Sequence, residues 1–288
     1  MFVKIFKVLR IDNWLKNLII FFPYLLSGKF LWGDILNLSL VFLYFSLVVS
    51  STYIVNDFID IHSDKLHPTK KDRPIAAGYK TKKFWLICAF SSFIIGQFFL
   101  FQMNASLLIY SFSYVVITIS YSLYLKYTKY FDILSIASLF LIRLFLGGAA
   151  TNTQISFWLI SFIFFNCLGL VSGKKLSILL NADIQHSKIK DFLTNSYKEA
   201  ELRQLIKISF IFCVITFSFW IFFVNYFNVV TSKILVLSSS LFCLIYFLMQ
   251  FYSSSVIGET EDIVKNIQNK NNFFSLALFL ILILWGIS

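Results

Sequence analysis

Three aspartates lie close together where a long apolar stretch of the chain gives way to charged residues. They are Asp57, Asp60 and Asp64, and they follow Asn56 in the segment NDFIDIHSD. If the apolar stretch continues as a helix through this segment, spacings of three and four residues place the three carboxylates on one helix face. Because like charges so placed repel one another, we expect a cation beside them.

Magnesium is the cation that this set of ligands favours. Mg²⁺ takes oxygen ligands and is usually bound through a few carboxylates together with substrate phosphates. The next segment, KLHPTKKDRP, adds cations that can bind phosphate oxygens, namely Lys65, Lys70, Lys71 and Arg73. The pattern predicts a site in which the aspartates bind Mg²⁺ and Mg²⁺ binds a diphosphate. For the lysines alone, a solvated loop that sets membrane topology is an equally good interpretation.

The rest of the chain is too apolar for a soluble domain. Of its 288 residues, 58% are hydrophobic and 14% are charged, and the mean hydropathy is +0.79. This composition predicts an integral membrane protein. The net charge of +11 would suit nucleic acid only if the cations clustered on a soluble surface, whereas they lie in short segments between apolar stretches. We therefore expect the lipid bilayer, and no nucleic acid, as a partner.

Nine apolar stretches approach the length of about 20 residues that a helix needs to cross a bilayer. We therefore predict an all-α integral membrane protein with about nine transmembrane helices in one bundle, a single domain over 1–288. Apolar residues at helical spacing within 1–16 predict an interfacial amphipathic helix before the first span. The predicted spans are 17–33, 37–55, 84–101, 105–125, 131–150, 155–173, 206–226, 233–252 and 272–288.

The basic residues are distributed unevenly between the two sets of loops. If the N-terminus is cytoplasmic, 22 of the 25 Lys and Arg lie on the cytoplasmic side, which comprises the N-terminus and the loops at 56–83, 126–130, 174–205 and 253–271 with their edges. Cytoplasmic loops carry an excess of Lys and Arg. The pattern predicts a multi-pass protein of the cell membrane whose N-terminus and aspartate-rich site face the cytoplasm.

The motif residues resemble those of a known family. NDFIDIHSD matches NDxxDxxxD, the first aspartate-rich motif of the UbiA-type intramembrane prenyltransferase superfamily, whose nine-helix bundle agrees with the predicted spans. Further blocks resemble one branch, the decaprenyl-phosphate (polyprenyl-phosphate) phosphoribosyltransferases, over roughly the first 180 residues. These blocks are DNWLKN at 12–17, the segment 56–78 ending in HPTKKDRPIAAG, YSLYLK at 121–126, Asp132, LIRLFLGGAA at 141–150 and GKK at 173–175.

The resemblance implies an enzyme that transfers 5-phosphoribose from 5-phosphoribosyl 1-diphosphate to a polyprenyl phosphate and depends on Mg²⁺. It implies that Asp57, Asp60 and Asp64 are the catalytic residues that hold Mg²⁺ on the diphosphate. The substrate-binding residues that it implies are Lys16, Asn17, Asn56, Lys70, Arg73, Tyr121, Lys126, Arg143, Lys174 and Lys175.

Several of these residues can be weighed on physical grounds. Arg143 is the best supported, because an arginine within a span is costly unless it faces the bundle interior or finds a partner, and Asp132 is one candidate partner. Lys174 and Lys175 could equally be topology determinants. Lys16 could also extend to the membrane interface, and Trp14 is interpreted as an aromatic-belt anchor.

Two other functions stay open. One is transfer of a prenyl group from a prenyl diphosphate to an aromatic or other acceptor. Such enzymes usually carry a second aspartate-rich motif near the sixth and seventh spans, where this chain has only the scattered Asp183 and Asp191. The other is a lipid transporter or scaffold, for which charged residues within several spans would be typical. Apart from residues near span ends, Asp132 among them, Arg143 is the only such residue in the predicted spans.

Overall fold

The structure, a computed structural model, describes residues 8–28, 30–66, 70–181, 188–224 and 231–287. Within these ranges, side chains are described at all positions except 63, 66, 70, 188–190, 223, 224, 231, 232 and 264. All regular secondary structure in the described ranges is helical. Helices suit a membrane, because the bilayer core has no water to bond with backbone N–H and C=O groups. A helix satisfies these groups with its own hydrogen bonds.

Eight of the described helices are long and apolar enough to cross a membrane. The all-α membrane fold class is therefore confirmed, and these helices correspond to eight of the nine predicted spans. They are α1 (Trp32–Ile59), α2 (Lys82–Met103), α3 (Ala105–Leu123), α4 (Phe131–Thr151), α5 (Phe157–Leu180), α6 (Glu199–Phe219), α7 (Thr231–Val256) and α8 (Lys270–Ile287).

The first predicted span, 17–33, has a shorter counterpart that starts earlier. The chain is helical over Ile11–Phe21 in 3₁₀ geometry and over Phe22–Leu25 in α geometry. Gly28, at φ 69°, then turns the chain toward α1, a conformation that glycine adopts without steric cost. About nine helices is thus right when this segment is included. Of the predicted interfacial helix 1–16, residues 1–7 lie outside the described residues, and 11–16 belong to this segment.

Side-chain caps explain where several long helices begin. Thr81 accepts a hydrogen bond from the backbone N–H of Phe84 at 3.3 Å, and Ser156 accepts one from Leu159 at 3.2 Å. Asn104 separates α2 from α3 and caps α3 by accepting from the N–H of Ser106 at 2.9 Å. Such caps satisfy backbone donors that have no partner within the helix.

The described contacts divide the chain into two compact units that interleave along the sequence. Unit 1 comprises Met1–Tyr24, Phe30–Thr128 and Ile142–Gln154, and unit 2 comprises Leu25–Lys29, Lys129–Leu141 and Ile155–Ser288. The boundary falls inside α4, so the units are not consecutive domains. The single domain over 1–288 stays a prediction.

Within unit 1, two glycines allow backbones to approach closely. A Cβ at Gly96 of α2 would lie 2.7 Å from the carbonyl oxygen of Tyr44 in α1. A Cβ at Gly147 of α4 would lie 1.8 Å from the carbonyl oxygen of Ile20, so only glycine fits there. Small residues commonly permit such close packing of membrane helices. The second contact brings the helical segment Ile11–Phe21 against the later part of α4.

Aromatic side chains pack between the helices of unit 2. Phe162 of α5 packs on Phe217 of α6 with ring centroids 5.0 Å apart, and Phe217 also contacts Phe279 of α8 at 5.3 Å. The ring of Trp220 stacks on Phe217 at 5.7 Å. Aromatic pairs in such arrangements stabilise a fold beyond the contribution of the apolar area that they bury.

Candidate active site

The three motif aspartates lie at the end of α1 and just beyond it, in unit 1. Asp57 is in the last turn of α1, Asp60 follows its final residue, and Asp64 is in the short helix Ile61–Leu66. The backbone N–H of Asp64 donates to the carbonyl oxygen of Asp60 at 2.8 Å, and that of Asp60 donates to Asn56 at 2.9 Å. The helix is therefore interrupted at Asp60 but resumes at once, close to the continuous helix predicted.

Arg73 bridges two of these carboxylates. Its Nη1 lies 2.7 Å from Oδ2 of Asp64 and 3.3 Å from Oδ1 of Asp57. Both aspartates are buried, whereas the Arg73 side chain is 30% exposed. The basic segment that follows the motif thus folds back onto it, and its arginine neutralises part of the charge on the aspartates.

Lys126 contacts the third carboxylate. It lies in the 3₁₀ turn Leu125–Tyr127 that follows α3, and its Nζ is 2.6 Å from Oδ1 of Asp60. The Lys126 side chain is largely buried. Two sequence blocks separated by 66 residues therefore meet at the end of α1.

Arg10 is a third cation at this place, and it lies outside the motif blocks. Its guanidinium donates a hydrogen bond to Oδ1 of Asp57 and lies 4.8 Å from the ring centroid of Tyr53. Tyr53 and Asp57 are four residues apart on α1 and so share a face. The signal in the sequence was the spacing of Arg10, Trp14 and Asn17, which is typical of one helix face.

Hydrogen bonds fix the segment that carries Arg10 against α1. The Ser50 hydroxyl donates to the carbonyl oxygen of Leu9 at 2.8 Å and accepts from Nε1 of Trp14 at 3.0 Å. Farther along, Nδ2 of Asn17 donates to the Ser46 hydroxyl at 2.8 Å. Trp14, interpreted from the sequence as a belt anchor, therefore has a hydrogen-bonding role inside unit 1.

Arg143 is buried within unit 1 with neutral polar groups among its partners. Its Nε donates to Oδ1 of Asn17 at 2.8 Å, and its Nη2 donates to the Tyr114 hydroxyl at 3.0 Å. The suggestion that Asp132 partners Arg143 is wrong. The two residues are 11 positions apart on α4, which corresponds to about 16 Å along a helix, and Asp132 has other partners.

Those partners lie in unit 2. Nζ of Lys175 is 2.5 Å from Oδ2 of Asp132, and the Tyr197 hydroxyl donates to Oδ1 at 2.7 Å. The same hydroxyl accepts from the backbone N–H of Tyr130 at 2.7 Å. Burial, and then the hydrogen bond to Asp132, raise the pKa of Tyr197 above its usual range. Lys174, the neighbour of Lys175, has an exposed side chain.

The other predicted binding residues are placed as follows. Lys16 and Tyr121 are partly buried in unit 1, and each takes part in a polar, ring or electrostatic interaction. Asn56 is in the last turn of α1, and its carbonyl oxygen is the acceptor for Asp60. The Lys70 side chain lies outside the described residues.

The chemistry of the three aspartates fits Mg²⁺, which takes carboxylate oxygens as ligands. Asp57 and Asp64 already share one cationic group, a nitrogen of Arg73. Among the described residues, however, no three His, Cys, Asp or Glu side chains converge as a metal would require. Each motif aspartate is instead paired with Arg10, Arg73 or Lys126. The metal site therefore stays a prediction.

Comparison with known proteins gives the same family as the motif. A sequence model of the UbiA prenyltransferase family matches residues 17–256. A decaprenyl-phosphate phosphoribosyltransferase of Mycolicibacterium smegmatis is 31% identical over 227 residues, 75% of this chain and 69% of the relative. The protein of that name from Mycobacterium tuberculosis is 30% identical over 224 residues, 75% of this chain and 73% of the relative.

The fold is also found among solved structures. A UbiA homologue from Archaeoglobus fulgidus, solved with DMAPP and Mg²⁺ bound, has a TM-score of 0.71 and 13% identity. The match covers 99% of each chain. At this identity the likeness concerns the fold alone, and the bound ion is a property of that homologue.

Proposed function

Because the chain belongs to the UbiA prenyltransferase family, we propose that it is a membrane enzyme that transfers 5-phosphoribose from 5-phosphoribosyl 1-diphosphate to a polyprenyl phosphate. Diphosphate is the other product. The reaction depends on Mg²⁺, and the site and the N-terminus face the cytoplasm of a cell whose membrane the chain spans.

The observation that carries this proposal is the cluster of paired carboxylates and cations at the end of α1. Three aspartates and three cations, Arg10, Arg73 and Lys126, meet within unit 1. Carboxylates suit the metal and cations suit the phosphate oxygens of a metal-bound diphosphate. The names of the two mycobacterial relatives support phosphoribosyl diphosphate as the donor.

The reaction replaces one bond at C1 of the ribose by another. An oxygen of the lipid phosphate forms the new bond, while the bond to diphosphate breaks and diphosphate leaves with the electron pair. Since the attacking oxygen is already an anion, no general base is needed. The protein has to bring anions together and stabilise the charge on the leaving group, which fixed cations do well in a site prepared for them.

The residues of unit 1 divide these tasks. Arg73 and Lys126 bind oxygens of the diphosphate, and Asp57, Asp60 and Asp64 hold the metal. Bound Mg²⁺ supplies Lewis-acid stabilisation of the departing diphosphate. Arg143, oriented by Asn17 and Tyr114, binds a further phosphate. The isoprenoid tail lies between apolar helices open to the bilayer.

Prenyl transfer is the second candidate, because the Archaeoglobus fulgidus homologue was solved with DMAPP. The residues that would form a second aspartate-rich motif give it little support. Asp191 is exposed, and Asp183 lies outside the described residues.

A direct assay separates the candidates. Purified protein is incubated with Mg²⁺, labelled 5-phosphoribosyl 1-diphosphate and a polyprenyl phosphate, and the lipid fraction is analysed for phosphoribosyl lipid. We expect product, and no product after chelation or with Asp57→Ala. Consumption of a prenyl diphosphate with an aromatic acceptor, without phosphoribosyl lipid, would establish prenyl transfer instead. Inactivity in both assays would favour a transporter or scaffold.

A further inference from the structure

Within the described part of unit 1, three cationic side chains form ion pairs with the three motif aspartates. Arg10 is bound to Asp57, Arg73 spans Asp57 and Asp64, and Lys126 is bound to Asp60. The carboxylates are thus neutralised by the chain itself. While these guanidinium and ammonium groups contact the carboxylates, Mg²⁺ binds there less favourably, because the cations repel one another and compete for the same acceptors.

Of the three cations, Arg10 is the one that sits on a separate segment rather than in the motif or a block assigned to the site. The backbone around it is fixed, since Leu9 and Trp14 both bond to Ser50. Its side chain is 17% exposed, while that of Asp57 is 4% exposed. The guanidinium can therefore leave the carboxylate without moving the segment that carries it.

We propose that Arg10 is a counter-ion that changes partners during substrate binding. It holds Asp57 in the protein without metal, and it binds a diphosphate oxygen once Mg²⁺ and diphosphate arrive. This inference rests on the proposed function, because it requires a metal-bound diphosphate at the aspartates. It assigns Arg10 as a substrate-binding residue.

The exchange makes binding of the metal and of the diphosphate mutually dependent. Mg²⁺ alone has to displace a guanidinium from a buried carboxylate and leave it without an anion. When diphosphate enters with the metal, Arg10 gains a new anionic partner as it loses the old one. Coupling between two ligands is reciprocal, so the enzyme binds the complex of metal and diphosphate better than either part alone.

Arg10→Gln tests this directly, because it removes the competing cation and keeps polar hydrogen-bonding capacity. Mn²⁺ serves as the probe, and the free ion is measured by electron paramagnetic resonance without substrate. Binding of radiolabelled diphosphate is measured separately at a fixed, saturating Mn²⁺ concentration. We expect Arg10→Gln to bind Mn²⁺ about tenfold more tightly and diphosphate about tenfold more weakly, the effect of one charge-assisted hydrogen bond.

Lys83→Gln is the matched control. Lys83 is an exposed cation in the first turn of α2, also in unit 1, so its loss changes the net charge equally. It should alter neither affinity by more than about twofold, since exposed charges are screened by salt. Arg10→Met, whose side chain can still cover Tyr53, is measured beside Arg10→Gln so that either folded variant decides the question.

The outcomes distinguish this inference from the proposed function. If the wild-type protein binds no Mn²⁺ that Asp57→Asn removes, even when diphosphate is present, the proposed metal site itself fails. If that site exists but the Arg10 variants bind both ligands as the wild type does, the exchange is overturned alone. If the variants lose both affinities together, Arg10 only supports the structure, and the proposal is likewise overturned.

Discussion

The end of α1 in unit 1 and the Asp132 cluster in unit 2 use the same residue types in different ways. At the end of α1, Asp57 is shared between two cations that keep some contact with solvent, with Arg10 17% and Arg73 30% exposed. In unit 2, Asp132 is fully buried, Lys175 is 9% exposed, and Tyr197 completes the set. The first arrangement leaves cations that a ligand can reach.

This difference separates ion pairs that can exchange from ion pairs that hold a fold. A fully buried pair that loses one partner leaves an isolated charge in a low dielectric, at a large cost in stability. A carboxylate with several partly exposed cations can lose one and keep another. We therefore assign ligand binding to the aspartates of α1 and a structural role to Asp132. Replacing the same residue type in the two places tests that assignment.

Asp64→Asn should have the largest effect on activity. Loss of a metal-binding carboxylate removes stabilisation of the leaving diphosphate, and we expect phosphoribosyl transfer to fall by about a thousandfold. Stability should change little, because Arg73 still has Asp57 as a partner. Product formation and thermal melting are measured on the same preparation. A stable variant with wild-type activity would remove Asp64 from the proposed site.

Asp132→Asn should show the opposite pattern. It leaves Lys175 buried without its anion, so we expect a loss of about 3–5 kcal/mol in the free energy of unfolding. Thermal or denaturant unfolding in detergent measures this loss. The double variant Asp132→Leu, Lys175→Met is the control, because it removes both charges and should recover most of the stability. A stable but inactive single variant would place Asp132 in the catalytic machinery.

Much of the candidate site at the end of α1 could be predicted from the sequence, because most of its residues are close together along the chain. Helical periodicity put the aspartates together, and the basic segment that supplies Arg73 begins one residue after Asp64. Lys126 was found through its motif rather than through spacing. The fold class followed from hydropathy, which reports directly on the solvent of each segment.

The remaining contacts depend on packing that one sequence does not reveal. Arg143 meets Asn17, 126 positions away, and the close approach of Gly147 to Ile20 brings their segments together. The sequence offered Asp132 as a partner for Arg143 because both are charged residues of one span, but the rise of the helix keeps them apart. Arg10 was counted among topology charges, and its bond to Asp57 needs the folded segment.

Arg143→Leu tests the role of a second, fully enclosed cation of unit 1. If Arg143 binds phosphate, its loss should reduce transfer by about a hundredfold or more, while the protein still inserts and purifies as a monodisperse species. Tyr114→Phe, which removes one hydrogen bond to Arg143, should have a smaller effect, about tenfold. Retained activity in Arg143→Leu would exclude the phosphate role.

The smallest predicted effect is the change in the free energy of unfolding when Tyr197 is replaced. Its pKa is raised by burial and by the bond to Asp132, and a group whose pKa is raised on folding contributes stability below its unfolded pKa, about 10. That contribution is lost as the pH rises through the higher pKa of the folded state, because the phenolate would face the Asp132 carboxylate. Tyr197→Phe should cost about 1 kcal/mol at neutral pH. It should also destabilise the protein less at pH 11 than at pH 8, since phenylalanine has no proton to lose. Unfolding measured at both pH values decides this, and an equal cost at each would show that the hydroxyl does not carry the alkaline sensitivity.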